Sequence, residues 1–246
     1  MSRSIRILIG ALIVVAIIAG GVYLYATRPL EEASEDIQEN TERLDNTADA
    51  SDSSAVYRIS QDESQVEFNI DEVLARRDNT VVGTTNQVAG DIRLDTENPA
   101  ESEIGQLRIN ARTFQTDSSR RDGAIGRFIL QSETDQFEFI EFVPTSVDGL
   151  PESISFGEPV ELSVTGDLTI KGTTREVTFN GQATLESEDR LVGSFQTMVL
   201  YPDFALSIPS VPSVSDVADE VTLKIDLVAL RVDDAVGEAA AETASS

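Results

Sequence analysis

The sequence predicts an antiparallel all-β domain with one short helix, preceded by an N-terminal transmembrane helix. Three observations carry this reading. Apolar residues across positions 56–232 recur with period two, the pattern of strands buried on one face. One stretch inside that region, 119–132, breaks the pattern, with Ile125, Phe128 and Ile129 at helical spacing after Asp122. The twenty residues 7–26 carry no charge, which is enough for a helix to cross roughly 30 Å of hydrocarbon.

Arg3 and Arg6 precede the apolar stretch, while Arg28 is followed by acids. This bias places the N-terminus in the cytoplasm and the rest of the chain on the extracytoplasmic side, periplasmic or cell-surface. Tyr23 and Tyr25 fall where an interfacial aromatic belt belongs. A cleaved signal peptide is the rival reading, with Ala19-Gly20-Gly21 as the peptidase site and a secreted product. The apolar region of such a peptide runs only about 7–15 residues, so an uncleaved single-pass anchor, residues 1–26, is the better match. No cysteine follows it, which excludes a lipoprotein.

Residues 27–55 hold nine acids against Arg28 and Arg43. Few large apolar residues interrupt them, so the stretch is expected to be a solvated, self-repelling linker. Residues 233–246 are small and acidic, and are expected to fray.

Within the 56–232 domain the strands follow in order. Val66, Phe68 and Ile70 alternate, then Val88, Gly90, Ile92 and Leu94, then Leu107, Ile109 and Ala111. Leu162, Val164, Gly166, Leu168 and Ile170 form a longer run. Across the short connection Lys171-Gly172-Thr173-Thr174 it meets Val177, Phe179, Gly181, Ala183 and Leu185, the strongest hairpin signal in the chain. Phe195, Thr197 and Val199 mark another strand, and Val221, Leu223, Ile225, Leu227 and Ala229 the last. So many strands need closure as a barrel or pairing as a sandwich.

Composition excludes much chemistry. Neither cysteine nor histidine occurs, which removes thiolate nucleophiles, the Ser-His-Asp triad and cysteine- or histidine-built zinc sites. A net charge of −26 repels phosphate backbones, so nucleic acid is not an expected partner. Asp95, Glu97, Glu101 and Glu103 cluster around Asn98-Pro99 but lack the register of a calcium loop, and read as a charged hairpin connection. No metal or cofactor is expected. A two-carboxylate glycosidase is the enzyme class this composition leaves open, and no motif supports it.

The aromatic residues point elsewhere. Phe137, Phe139 and Phe142 lie close together, and Phe114, Phe128, Phe179, Phe195 and Phe204 add to the apolar supply. Any one of them packs readily into a core. Together, in a closed β-domain of this size, they supply a cavity for a long apolar molecule.

These stretches resemble the YceI-like family. The segment Thr165-Gly166-Asp167-Leu168-Thr169-Ile170-Lys171-Gly172-Thr173-Thr174-Arg175-Glu176-Val177-Thr178-Phe179 is similar to that family's signature hairpin. Tyr57-Arg58-Ile59 with Ser64-Gln65-Val66-Glu67-Phe68 resembles its opening strand, and Val82-Gly83 with Val88-Ala89-Gly90-Asp91-Ile92-Arg93-Leu94-Asp95 its second hairpin. Phe114-Gln115-Thr116 leading to Arg121-Asp122 resembles the Arg-Asp pair that opens the short helix. Phe137-Glu138-Phe139-Ile140-Glu141-Phe142, Asp203-Phe204 and Val217-Ala218-Asp219-Glu220-Val221 resemble the later strands. Family members often carry histidines in the opening strand and at the helix start; Glu63 and Gly123 stand near those places here.

The resemblance implies a lipocalin-like antiparallel β-barrel that binds a polyisoprenoid or other amphiphilic lipid without catalysis. Quinone, polyprenol and fatty amide ligands all suit the composition. The residues expected to line the cavity are Phe68, Phe114, Phe128, Ile129, Phe142, Leu168, Ile170, Phe179, Phe195 and Phe204. Two other readings stand beside this one: a solid-cored structural or adhesion module without ligand, and a carboxylate-dependent enzyme.

Overall fold

The computed structural model describes residues 33, 37–39, 41–44, 53–210 and 214–232. Its strands are, in chain order, β1 (Ser54–Ile59), β2 (Gln65–Leu74), β3 (Arg77–Thr85), β4 (Val88–Ala89), β5 (Asp91–Asp95), β6 (Glu103–Ile104) and β7 (Leu107–Asn110). The short helix α1 (Ser119–Ala124) comes next, followed by β8 (Phe139–Asp148), β9 (Pro159–Ile170) and β10 (Thr173–Ser187). The last are β11 (Arg190–Leu200), β12 (Val214–Ser215) and β13 (Glu220–Arg231).

All thirteen strands belong to one sheet, in the order β4-β7-β8-β9-β10-β11-β13-β1-β5-β6, with β2 beside β13 and β3, and β12 at the end of β2. Every pairing is antiparallel. The two ends of that order are joined through the chain, since β4 runs into β5 across Gly90, and β6 into β7 across Gly105 and Gln106. Among the described residues the result is an antiparallel sheet curled into a half-barrel, all-β with one short α-helix. No helix among the described residues is long and apolar enough to cross a membrane. The predicted span at 7–26 and the tail at 233–246 lie outside the described residues.

The hairpin of β9 and β10 shows why the sheet holds its register. Ile170 pairs with Thr173, so the connection is the two-residue turn Lys171-Gly172 rather than the four residues read from the sequence. Both turn residues have positive φ, 49° and 73°, the geometry whose twist matches a right-handed hairpin. From that turn twelve residue pairs run in step to Thr184 and Pro159. A slip of one residue would turn Leu162, Val164, Leu168 and Ile170 out to water.

Residues 111–138 cross one end of the half-barrel. Asp122 accepts hydrogen bonds from the backbone N–H and the hydroxyl of Thr116 at 2.8 and 2.6 Å, which fixes the entry to α1. Arg121 reaches Glu72 of β2 at 3.7 Å and Asp117 on the other side, tying the helix to the sheet. Beyond α1 the chain widens into a π-type turn over Ile125–Ile129, closed by Leu130 N–H to Ile125 C=O at 2.9 Å. Arg112 anchors the crossing: it pairs with Glu138 at 3.0 Å, both side chains at most 2% exposed, and donates to Ser132 C=O at 2.6 Å.

The acidic linker departs from expectation. Ile37 is fully buried and Thr41 nearly so. Gln38 Nε2 donates to Ile59 C=O at 2.8 Å, and Leu44 N–H donates to Asp91 Oδ2 at 3.2 Å. Asp91 also takes two bonds at 2.9 Å from Arg58. Ile37 and Leu44 interrupt the acids with apolar surface, and Leu44 packs over Gly105, where a Cβ would stand 3.4 Å from its Cγ. Residues 37–39 and 41–44 therefore lie as a strap against the sheet.

Candidate functional site

Alternation along the curled sheet collects one face of each strand around a common interior. On β9 these are Val160, Leu162, Val164, Leu168 and Ile170; on β10 Phe179, Ala183 and Leu185; on β13 Leu223, Ile225 and Leu227. Val66 and Phe68 of β2, Ile92 and Leu94 of β5, Leu107 and Ile109 of β7, Phe142 of β8 and Phe195 of β11 continue the ring. They enclose a cavity of about 190 Å³. Leu150 and Ile154 join the wall from the connection between β8 and β9, not from a strand.

Seven of the ten side chains expected from the sequence meet here: Phe68, Phe114, Phe142, Leu168, Ile170, Phe179 and Phe195. Phe68 and Phe114 pack edge to face with ring centres 5.4 Å apart, and Phe142 and Phe179 do so at 5.2 Å. Such pairs contribute about 0.5–1.5 kcal/mol beyond area burial. The Phe68 ring lies on Gly83 of the paired strand, where any Cβ would fall inside the ring's envelope.

Three expected residues are elsewhere. Phe128 is 45% exposed. The π-type turn rotates it off the buried face, which Gly126 and Arg127 occupy instead. Ile129, on the same turn, is half-buried and away from the wall. Phe204 is sealed into the core by the helical turn Tyr201–Phe204 and does not reach the cavity.

Apart from Leu168 and Ile170, the aliphatic part of the wall lies outside the residues expected from the sequence. Its signal was present in the alternation itself, because Ile92, Leu94, Leu107, Ile109 and Leu227 each belong to a period-two run. Leu150 and Ile154 gave no such signal.

Charge is kept outside. Glu67 and Lys224 border the cavity as a cross-strand pair between the inward pairs Phe68–Leu223 and Val66–Ile225. Alternation therefore turns their side chains to the outer surface, where Lys224 Nζ meets Glu67 Oε1 at 3.1 Å. A hydrogen bond from Asn69 at 2.7 Å and then the Lys224 ammonium hold the Glu67 carboxyl below its ordinary range. Phe139, next to the wall residue Ile140, likewise faces out under the Arg108 guanidinium, 4.3 Å from the ring centre. In the charged connection around Asn98-Pro99, Asp95 Oδ1 accepts from Glu97 N–H and Asn98 N–H at 3.0 and 2.9 Å, and Glu103 pairs with Arg93. Among the described residues no group of three or more acids is placed to hold a metal ion.

The sequence that builds this curled sheet and its apolar hollow matches the YceI-like domain model over residues 57–229. The chain belongs to the YceI-like family. Among the solved structures that share its fold are the following two. BcnA of Burkholderia cenocepacia is 17% identical over 69% of this chain and 98% of its own, with a TM-score of 0.54. A polyisoprenoid binding domain from Saccharophagus degradans, implicated in plant cell wall breakdown, is 13% identical over 72% of this chain and 99% of its own, with a TM-score of 0.58. No curated protein matches the sequence. The YceI-like hairpin identified from the sequence is β9–β10, and its Arg121-Asp122 pair is the anchor of α1 described above.

Proposed function

We propose that this YceI-like protein is a non-catalytic carrier for a long-chain amphiphilic lipid of isoprenoid type, a polyprenol or an isoprenoid quinone, whose tail lies within a lipocalin-like barrel. The observation that carries the reading is the cavity, lined almost entirely by apolar side chains, with Ser102, Glu67 and Lys224 the exceptions at its border. The name of the Saccharophagus degradans domain agrees with it.

Magnitudes favour a long chain. Each buried CH₂ stabilises the complex by about 0.8 kcal/mol, while association costs about 4–15 kcal/mol. A short amphiphile barely offsets that cost. At about 190 Å³ the cavity is also smaller than the roughly 300–1,000 Å³ of ordinary ligand pockets. A long tail therefore enters by displacing Leu150 and Ile154, wall residues carried by the connection between β8 and β9.

Residues 7–26 serve in this reading as the single membrane span, with the domain on the extracytoplasmic side. The strap shortens the tether: ten residues, 27–36, separate the span from Ile37, a reach of at most about 36 Å when fully extended. The domain stays close to its own bilayer, where such lipids reside.

The test is binding of a neutral apolar dye to the detergent-free chain, followed by competition with a polyprenol and with a quinone. Saturable binding displaced by both supports the carrier. No dye binding by folded protein favours the solid-cored module.

A further inference from the structure

We propose that the ligand enters at the end opposite α1, between the connections 96–102 and 149–158, and that the acidic rim there selects amphiphiles with an uncharged head group over anionic ones with the same tail. This inference rests on the lipid-binding reading above and adds the chemistry of the head.

The two ends of the half-barrel differ. The α1 end is filled and pinned. Phe204 and Phe114 are buried there, and the crossing chain is held by Arg112–Glu138 at 3.0 Å and Arg127–Glu133 at 2.8 Å, with Asn110 donating to Glu138 at 2.9 Å. Opening that end would strand buried charges, which is costly. The opposite end is closed by Leu150 and Ile154, both half-buried, on a connection held by Ile154 N–H to Thr96 C=O at 2.9 Å and Gly157 N–H to Leu185 C=O at 2.8 Å. Phe156, beside them, is 56% exposed. This is the end that yields.

A lipid entering there meets a negative rim. Glu97 and Glu101 lie on one connection, Glu152 and Glu158 on the second, and Glu188 and Asp189 on the turn from β10 to β11, all exposed. Of the arginines at this end, Arg93 is paired with Glu103, and Arg190 is held by Glu63 and Glu186 at 2.8 and 3.0 Å. Arg231 stands at the end of β13. The wall beyond the rim turns no charged side chain inward, so an ionised head has no counter-charge within and stays unburied. It is left at the rim, where the surrounding field repels an anion. An isoprenoid alcohol or quinone meets neither penalty; a prenyl phosphate or a fatty carboxylate meets both.

The test uses the full chain in phosphatidylcholine nanodiscs and two photoreactive probes with one isoprenoid tail, ended as an alcohol or as its monophosphate. Crosslinks are mapped by peptide at low ionic strength. The expected result is labelling of peptides around Leu150–Leu162 by the alcohol, in roughly tenfold excess over the phosphate. The excess should shrink as salt is raised, because a surface field is screened. The double variant Glu152→Lys, Glu158→Lys should raise labelling by the phosphate and leave the alcohol unchanged. Equal labelling, a preference for the phosphate, or a gap indifferent to salt overturns the head-group selection while leaving a lipid site. Absence of labelling by either probe in the domain overturns the lipid-binding reading itself.

Discussion

Ala183→Phe separates the cavity from the fold that surrounds it. Ala183 lies on the cavity wall and faces Gly193 on one neighbouring strand and Val160 on the other. A ring placed there points into the hollow, beside the Phe195 ring and Leu227 that already cover Gly193. Filling the whole 190 Å³, at about 24 cal/mol per Å³ of cavity, gives an upper bound of about 4.6 kcal/mol. Strain from overpacking subtracts about 1–3 kcal/mol. The lipid-free variant should therefore be as stable as the parent or more so, by up to about 2–4 °C in Tm for each kcal/mol gained. Lipid retention should fall sharply, since the ring takes the place of the tail. The assay is thermal unfolding of the delipidated chain beside mass spectrometry of the lipid it retains. A folded variant with raised Tm and no lipid agrees with the argument. A folded variant that keeps the parent's lipid load refutes it, because the tail then lies somewhere other than this cavity.

Three further outcomes are expected. Phe179→Asp with Phe195→Asp puts two carboxylates on the wall and should abolish lipid retention; unchanged retention in a folded double variant, read by the same mass spectrometry, removes both from the site. Arg112→Met leaves the Glu138 carboxylate without the guanidinium 3.0 Å away and should cost about 3–5 kcal/mol in urea unfolding, and most of that should return in Arg112→Met, Glu138→Leu. Glu67 has a native pKa held below its ordinary 4.5 by Asn69 and Lys224, so its stabilisation is full above that ordinary value and is lost as pH falls through the lower native one. An acid titration of stability should accordingly be shallower below pH 4.5 in Glu67→Gln than in the parent.

The sequence was most legible where one face of a strand is buried along its length. The runs Leu162 to Ile170 and Val177 to Leu185 named the inward residues of β9 and β10 in register, because alternation and a two-residue turn leave one pairing open. Legibility failed where geometry changes between neighbours. On β8 a bulge between Pro144 and Ser146 shifts the parity, so that Phe142 and Val147 both face inward, five positions apart. The helical spacing of Ile125, Phe128 and Ile129 assumed an α-helix, and the wider turn sends Phe128 to solvent. Phe204 is as apolar as Phe195, yet a helical turn rather than a strand carries it and buries it in the core. The strap at 37–39 and 41–44 was hidden by its acids: average composition described the segment, while Ile37 and Leu44 determine where it lies. The rim connections gave no periodic signal, and only the pairing of the strands that flank them brings Glu97 and Glu152 to one end.

The most direct measurement is the lipid content of the protein itself. A chain from Thr27 to Ser246 keeps the strap that a start at Ser54 would remove. Exported, purified without detergent and extracted with organic solvent, it is expected to yield one long-chain isoprenoid lipid with an uncharged head, in stoichiometric amount by mass spectrometry. An extract empty of lipid, before and after incubation with membranes, would contradict the carrier account and leave a YceI-like fold whose interior serves only its own packing.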